Sequence, residues 1–190
     1  MSERIHEILL ITRNPDGTPH IAPMGMRSRG DSILLAPFRP SRTLDNLQRE
    51  RKASINTTDD VRIYAGCLTG HRDWTTTACT MIRGERLGDA LSHSEIEVVR
   101  VEQDEQRPRF YCRTVRTENH RPFRGYNRAQ AAVLELAILV SRLDRLAADK
   151  IDAEVEYLTI AMDKTAGSEE LEAWDWLMQR IRAHRARNCA

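Results

Sequence analysis

The stretch Ile33–Asp60, ILLAPFRPSRTLDNLQRERKASINTTDD, sets the terms for the rest of the chain. Ile33-Leu34-Leu35-Ala36 is an apolar run with the length of a buried strand. Pro37 and Pro40 close it, because proline has no N–H for a sheet ladder and restricts the residue before it. Ser41 is a good N-cap, and Leu44 and Leu47, three apart, share one face of the helix it opens. Ala53-Ser54-Ile55-Asn56 then alternates as the next strand. The loop between strand and helix carries Arg39, Ser41, Arg42 and Thr43 at a helix N-terminus, where unpaired amides, hydroxyls and guanidinium groups suit a phosphate. The same residues equally describe an ordinary capped helix on an arginine-rich surface.

Upstream, Ile5–Thr12 is apolar and β-branched, and Asn14-Pro15-Asp16-Gly17 is a strong turn signal. His20–Met26 resumes in extended form, which predicts an antiparallel hairpin with a longer loop. Gly30-Asp31 turns the chain into the strand at Ile33. Pro23 and Gly25 inside a strand point to an edge or a bulge, with either a ligand approaching closely or the strand bending.

Downstream, Val61–Tyr64 is apolar and alternating, and Gly66 and Gly70 loosen the chain after it. His71-Arg72-Asp73-Trp74 reads as a surface histidine and a packing tryptophan, or as a cover for a pocket or partner. Ser94–Gln103, with Ile96, Val98 and Val101 in imperfect alternation, and Arg109–Thr117 form an antiparallel pair around Asp104–Pro108. Five or six strands with glycines at the corners close into a small barrel. The period then changes to helical. Arg128–Ala148 lacks Gly and Pro, and Ala131, Leu134, Ile138, Val140 and Leu143 follow helical spacing. A second helix runs from Ala153 to about Lys164 over Val155, Leu158 and Met162. Gly167 and Ser168 supply a C-cap and an N-cap, and a third helix, Glu169–Ala186, buries Leu171, Trp174, Leu177, Met178 and Ile181. The expected fold class is α+β, with a barrel domain over 1–125 and a three-helix appendage over 126–190.

Composition narrows the function classes. A net charge of +1 excludes a strongly basic nucleic-acid binder, and 26 of the 29 basic residues being Arg reflects composition more than a site. Cys67, Cys79, Cys112 and Cys189 have neither C-x-x-C pairing nor histidines at ligand spacing, which argues against zinc and against a disulfide framework. Cys79 and Cys112 read as apolar fillers of strands. MSERIHEILLITRNPDG is not a signal peptide, and Glu135 interrupts the most apolar segment, Ala129–Val140, so a soluble cytoplasmic protein without a membrane partner is expected.

On four motifs the sequence resembles the FMN-binding split-barrel superfamily of flavin reductases and pyridoxamine-oxidase-like proteins. They are His20-Ile21-Ala22-Pro23-Met24-Gly25, Pro37-Phe38-Arg39-Pro40-Ser41-Arg42-Thr43-x-x-Asn46-Leu47, Asn56-Thr57-Thr58-Asp59-Asp60, and Asn127-Arg128 with Leu134-Glu135-x-x-Ile138. It looks closest to a branch of unknown function linked in part to pterin-dependent one-carbon metabolism. The resemblance implies an antiparallel split barrel that binds FMN between the subunits of a homodimer. It implies phosphate contacts at Ser41, Arg42 and Thr43, ring contacts at Met24 and Gly25, and ribityl or phosphate contacts at Asn56, Thr57 and Thr58. Asn46 joins this set or serves as a structural polar residue facing its own helix. The implied activity is an oxidoreductase with a small-molecule electron donor or acceptor. A non-catalytic flavin-binding or partner-docking protein is the alternative, and a deazaflavin or haem is a further possible occupant. No acid or base stands out as catalytic.

Overall fold

In the computed structural model, which describes residues 4–29 and 32–188, the Asn14–Gly17 turn behaves as its residues dictate. The Gly17 amide donates to the Asn14 carbonyl at 3.0 Å, and Gly17 takes φ +92°, a value glycine reaches without strain. The turn joins β1 (Ile5–Arg13) to β2 (Pro19–Arg29) in the register Arg13 to Pro19. β3 (Ser32–Leu35) pairs with β2 from Met26 to Arg29. The turn predicted at Gly30-Asp31 lies outside the described residues.

Helix α1 (Arg42–Glu50) forms where Ser41 caps it, with the Ser41 hydroxyl accepting the Leu44 amide at 3.2 Å. β4 (Lys52–Thr57) follows. β5 (Thr76–Ala78) and β6 (Glu85–Leu87) make a separate two-stranded sheet. β7 (Ser92–Glu102) and β8 (Arg109–Asn119) complete a closed antiparallel barrel in the order β1-β2-β3-β8-β7-β4. The fold is α+β, as expected. A register shift between Val98 and Arg100 explains the imperfect alternation of β7: Val99 is extruded and exposed, so Val98 and Val101 both meet the core.

Ile8, Leu10, Leu35, Ile55, Ile96 and Phe110 fill the barrel, and Leu44 and Leu47 of α1 join them. Cys112 is a buried filler of β8 as predicted, and burial pushes its thiol up to about 12. Cys79 is half-buried and follows β5 rather than lying in a strand; its amide closes the β5–β6 turn on the Gly84 carbonyl at 2.9 Å. Cys189 lies outside the described residues. Pro23 stands in the part of β2 that is laddered to β1 alone, since β3 first pairs at Met26. It is therefore at an edge, as its residue type requires. What approaches Gly25 is the protein itself: a Cβ there would lie 2.9 Å from Cγ2 of Ile5.

The chain divides into two compact units, 1–58 with 74–123, and 59–73 with 124–190. The second contains α2 (Arg62–Thr69), so the alternation at Val61–Tyr64 belongs to a helix. Val61 and Ala65, one turn apart, are both buried, and Gly66 sits inside the helix while Gly70 ends it at φ +97°. α3 (Arg128–Val140) and α5 (Ser168–Asn188) pack with it, and α4 (Ala148–Thr165) packs on α3. The predicted run Arg128–Ala148 is broken after Val140 by a single 3-10 turn at Leu143–Arg145. α3 buries Ala129, Ala132, Val133, Leu136 and Ala137, not the expected Ala131, Leu134 and Ile138, because nearly all its faces are apolar and spacing cannot choose among them. Leu171 is exposed; Ala173, Leu177 and Ile181 form the buried ridge of α5. The cap of α5 is Gly167, whose carbonyl accepts the Leu171 amide at 3.1 Å and whose N–H goes to Glu170 Oε2 at 2.9 Å, while Ser168 is the first helical residue.

Candidate functional site

Ser41 and Arg42 line a cleft of about 660 Å³ with Asn14, Asp16, Asp45 and Arg49. The Arg42 and Thr43 amides open α1, where a helix has no acceptors of its own, and Arg42 is exposed beside them. Two carboxylates share the cleft: Asp16, held below the ordinary carboxylate range mainly by hydrogen bonds from Thr18 with a smaller pull from Arg42, and the exposed Asp45. Arg39 belongs elsewhere, with its guanidinium on Gln103 Oε1 at 3.1 Å and on the Asp104 carbonyl.

The other predicted residues of α1 are anchors. The Thr43 hydroxyl is buried against His20 Nε2 at 3.1 Å. Asn46, 1% exposed, donates to the Thr12 hydroxyl at 3.0 Å and to Asn14 Oδ1 at 3.1 Å, and accepts from Arg49 at 3.0 Å. These bonds fix the helix N-terminus against β1 and β2, so the cleft has a rigid floor.

Met24 and Gly25 lie farther along β2, with Met24 laddered to Ile8 and packed against the barrel core. Thr12, beside α1, and Ile8 are four residues apart on β1, roughly 13 Å at strand rise. Asn56 is laddered to Leu9, which is laddered to Pro23, so the end of β4 lies one strand away from the Met24–Gly25 segment. The Asn56 amide is fully engaged: Nδ2 donates to the Leu9 and Ser54 carbonyls and to the Ser54 hydroxyl, and Oδ1 accepts from the Leu87 amide at 2.9 Å. Thr57 shares a 2.8 Å hydroxyl contact with Ser92, and with Thr58 it lines a second cleft of about 650 Å³ together with Ser92, Asn119, His120 and Phe123.

Beside that second cleft is a polar cluster that sequence reasoning missed. Glu95 is wholly buried, and its carboxylate accepts the amides of Thr80, Met81 and Ile82 at 2.7–2.8 Å. Burial pushes its pKa up, but the three amides and His93 outweigh that, so the group lies below the ordinary carboxylate value. His93 Nε2 is 3.5 Å from Glu95 Oε1, and His93 Nδ1 is 2.8 Å from Nε2 of His120. Burial, then Arg86 and His93, hold His120 below its ordinary value against the opposing pull of Glu118. The available signal was parity: His93 and Glu95 fall on the face of β7 opposite Ile96 and Val98, where a charged residue demands partners.

Among the described residues no group of His, Cys, Asp and Glu could hold a metal, and no helix is long and apolar enough to cross a membrane. The barrel is similar in fold to those of several solved proteins. It superposes on the Bacillus cereus nitrilotriacetate monooxygenase component B at a TM-score of 0.53, with 14% identity over 69% of this chain and 78% of the other. For the Pseudomonas fluorescens 2-nitrobenzoate 2-nitroreductase NbaA the TM-score is 0.52, with 19% identity over 63% and 66%. The FMN-bound protein MM1853 of Methanosarcina mazei, a DUF447 protein, matches with a TM-score of 0.80 and 18% identity over 94% of this chain and 96% of its own. Two family models, the N-terminal domain of a protein of unknown function (DUF447) and its C-terminal counterpart, match residues 6–121 and 127–179. The chain belongs to the DUF447 family. No curated protein matches its sequence.

Proposed function

We propose that this protein is an FMN-binding flavoprotein that acts as a homodimeric oxidoreductase on a small-molecule electron donor or acceptor. The observation that carries this reading is family membership combined with a fold shared, over nearly the whole chain, with an FMN-bound DUF447 protein.

The residues at α1 fit a phosphate on their own chemistry. The uncommitted amides of Arg42 and Thr43, the helix dipole and the exposed Arg42 guanidinium favour an anion, and the Ser41 hydroxyl can still donate its proton while accepting from Leu44. Asp16 and Asp45 lower the net charge of the cleft, so Arg42 carries most of the electrostatic attraction. Thr43 serves through its amide, since its hydroxyl is held by His20. Met24 and Gly25 would border the ring, and Thr57 and Thr58 would meet the ribityl chain, with Asn56 and Asn46 holding those segments in place through their internal bonds. Bound FMN supplies reversible hydride acceptance.

The exposed Tyr157 and Ile160 of α4 and Leu171 of α5 favour a second reading, a flavoprotein whose helical unit docks a partner. The test is direct. Purified protein should carry a flavin absorbance and release FMN on denaturation, identified by mass. Oxidation of a reduced nicotinamide by the holoprotein supports the oxidoreductase, and its absence with FMN bound supports the docking reading. Protein that neither retains nor rebinds FMN overturns both.

A further inference from the structure

His93 of β7 and His120, just beyond β8, have near-parallel rings with centroids 5.0 Å apart and the 2.8 Å Nδ1–Nε2 contact between them. The chemistry of Glu95 fixes the direction of the chain. A carboxylate only accepts, and this one already takes three amide protons, so His93 must present a proton on Nε2. A neutral His93 then has its lone pair on Nδ1 and accepts from Nε2 of His120. That leaves the remaining lone pair on Nδ1 of His120, for which the described residues offer no hydrogen-bond partner. His120 is half-buried and lines the cleft of about 650 Å³.

The walls of that cleft are of two kinds. Thr57, Ser92 and Asn119 supply hydroxyls and an amide, and Pro122 and the 59% exposed Phe123 supply flat apolar surface. This pairing suits a planar ring that carries polar substituents. We propose that Nδ1 of His120 is a proton acceptor for a small acidic ring compound, a phenol or enol, seated in this cleft, with His93 and Glu95 as positioning residues that fix which nitrogen is bare. The ligand's O–H bond breaks, the proton bonds to Nδ1, and the electron pair stays on the ligand oxygen. The resulting imidazolium faces Arg86 from β6 and His93 from β7, which oppose the charge, and Glu118 from β8, which favours it. No electron is transferred in this step, so its test does not rest on flavin chemistry, although Thr57 and Thr58 line both this cleft and the proposed ribityl contact.

Two measurements on the full chain without added flavin test it. The first is a nitrogen-15 spectrum of the imidazoles at about pH 8, above the ordinary histidine value. Protons on Nε2 of both His93 and His120 are expected; a proton on Nδ1 of either overturns the proposal without any variant. The second uses 4-nitrophenol, whose colour reports its ionisation. Excess wild-type protein at about pH 6 should raise the ionised fraction at least about threefold over buffer, with His120→Phe abolishing the rise and His93→Phe reducing it. No rise with the wild type, or an equal rise with His120→Phe, overturns the ligand assignment. An unchanged rise with His93→Phe overturns the positioning role.

Discussion

Asn46 on α1 donates its side-chain amide to the Thr12 hydroxyl of β1 at 3.0 Å, a buried bond between a helix and the strand it seals. The same side chain meets Asn14 and Arg49, so its removal strands several polar groups at once. Asn46→Ala should lower stability by about 2 kcal/mol, the cost of leaving buried partners unsatisfied. A urea titration should show a lower midpoint at unchanged slope. A shift of only a few tenths would mean that water replaces the amide.

Arg42→Ala should weaken FMN far more than riboflavin, which lacks the phosphate. A charge-assisted bond contributes about 1.5–3 kcal/mol, or roughly ten- to a hundredfold in affinity. Calorimetric titration of both ligands checks it, and equal losses would assign Arg42 to folding or ring packing.

Ser41→Asp separates a cap from a phosphate site. Aspartate caps as well as serine and suits the helix N-terminus, so the flavin-free melting transition should be unchanged. Its carboxylate, in a cleft that already contains Asp16 and Asp45, should lower FMN affinity at least about tenfold. Wild-type affinity in a folded variant would remove the phosphate from this loop.

Stability should fall on acidification in two steps of the same sign. His120 binds its proton less readily folded than unfolded, so stability declines as pH drops below about 6.5, its ordinary value. Glu95 is held ionised when folded, so its contribution is present above the ordinary carboxylate value and is lost as pH falls through its lowered one. Denaturation midpoints across this range, repeated with His120→Phe, should lose the upper step alone. Glu95→Gln should cost about 3 kcal/mol, because Gln cannot satisfy all three amides of residues 80–82.

The barrel was legible where chemistry is local. Asn14–Gly17 announces its hairpin, and Ser41 with Leu44 and Leu47 announces α1. What stayed hidden depends on distant partners. Val61 and Ala65 pack with the later helices, and nothing in four alternating residues reveals a turn of helix whose core lies 70 residues on in the chain. A boundary drawn between 125 and 126 likewise cannot show that 59–73 groups with the C-terminal helices. Glu95 finds its donors on a loop 13–15 residues earlier, and His120 reaches His93 across a strand pair, so no motif spacing joins them. Asn46 and Asn56 show the converse: a polar residue in a recognised motif is committed within the chain.

Pro19 and Pro23 bear on how the polypeptide behaves before it finds any partner. Residues 19–25 of β2 are laddered to β1 on one side, and among the described residues no strand pairs with them on the other. Prolines are tolerated in a ladder where the missing N–H would have faced away from the neighbour. The open side thus lacks two of the donors that a foreign strand would need, at positions of the same parity. This segment is a poor template for edge-to-edge aggregation, and a nascent chain with a half-closed barrel is shielded where runaway sheet growth would otherwise begin.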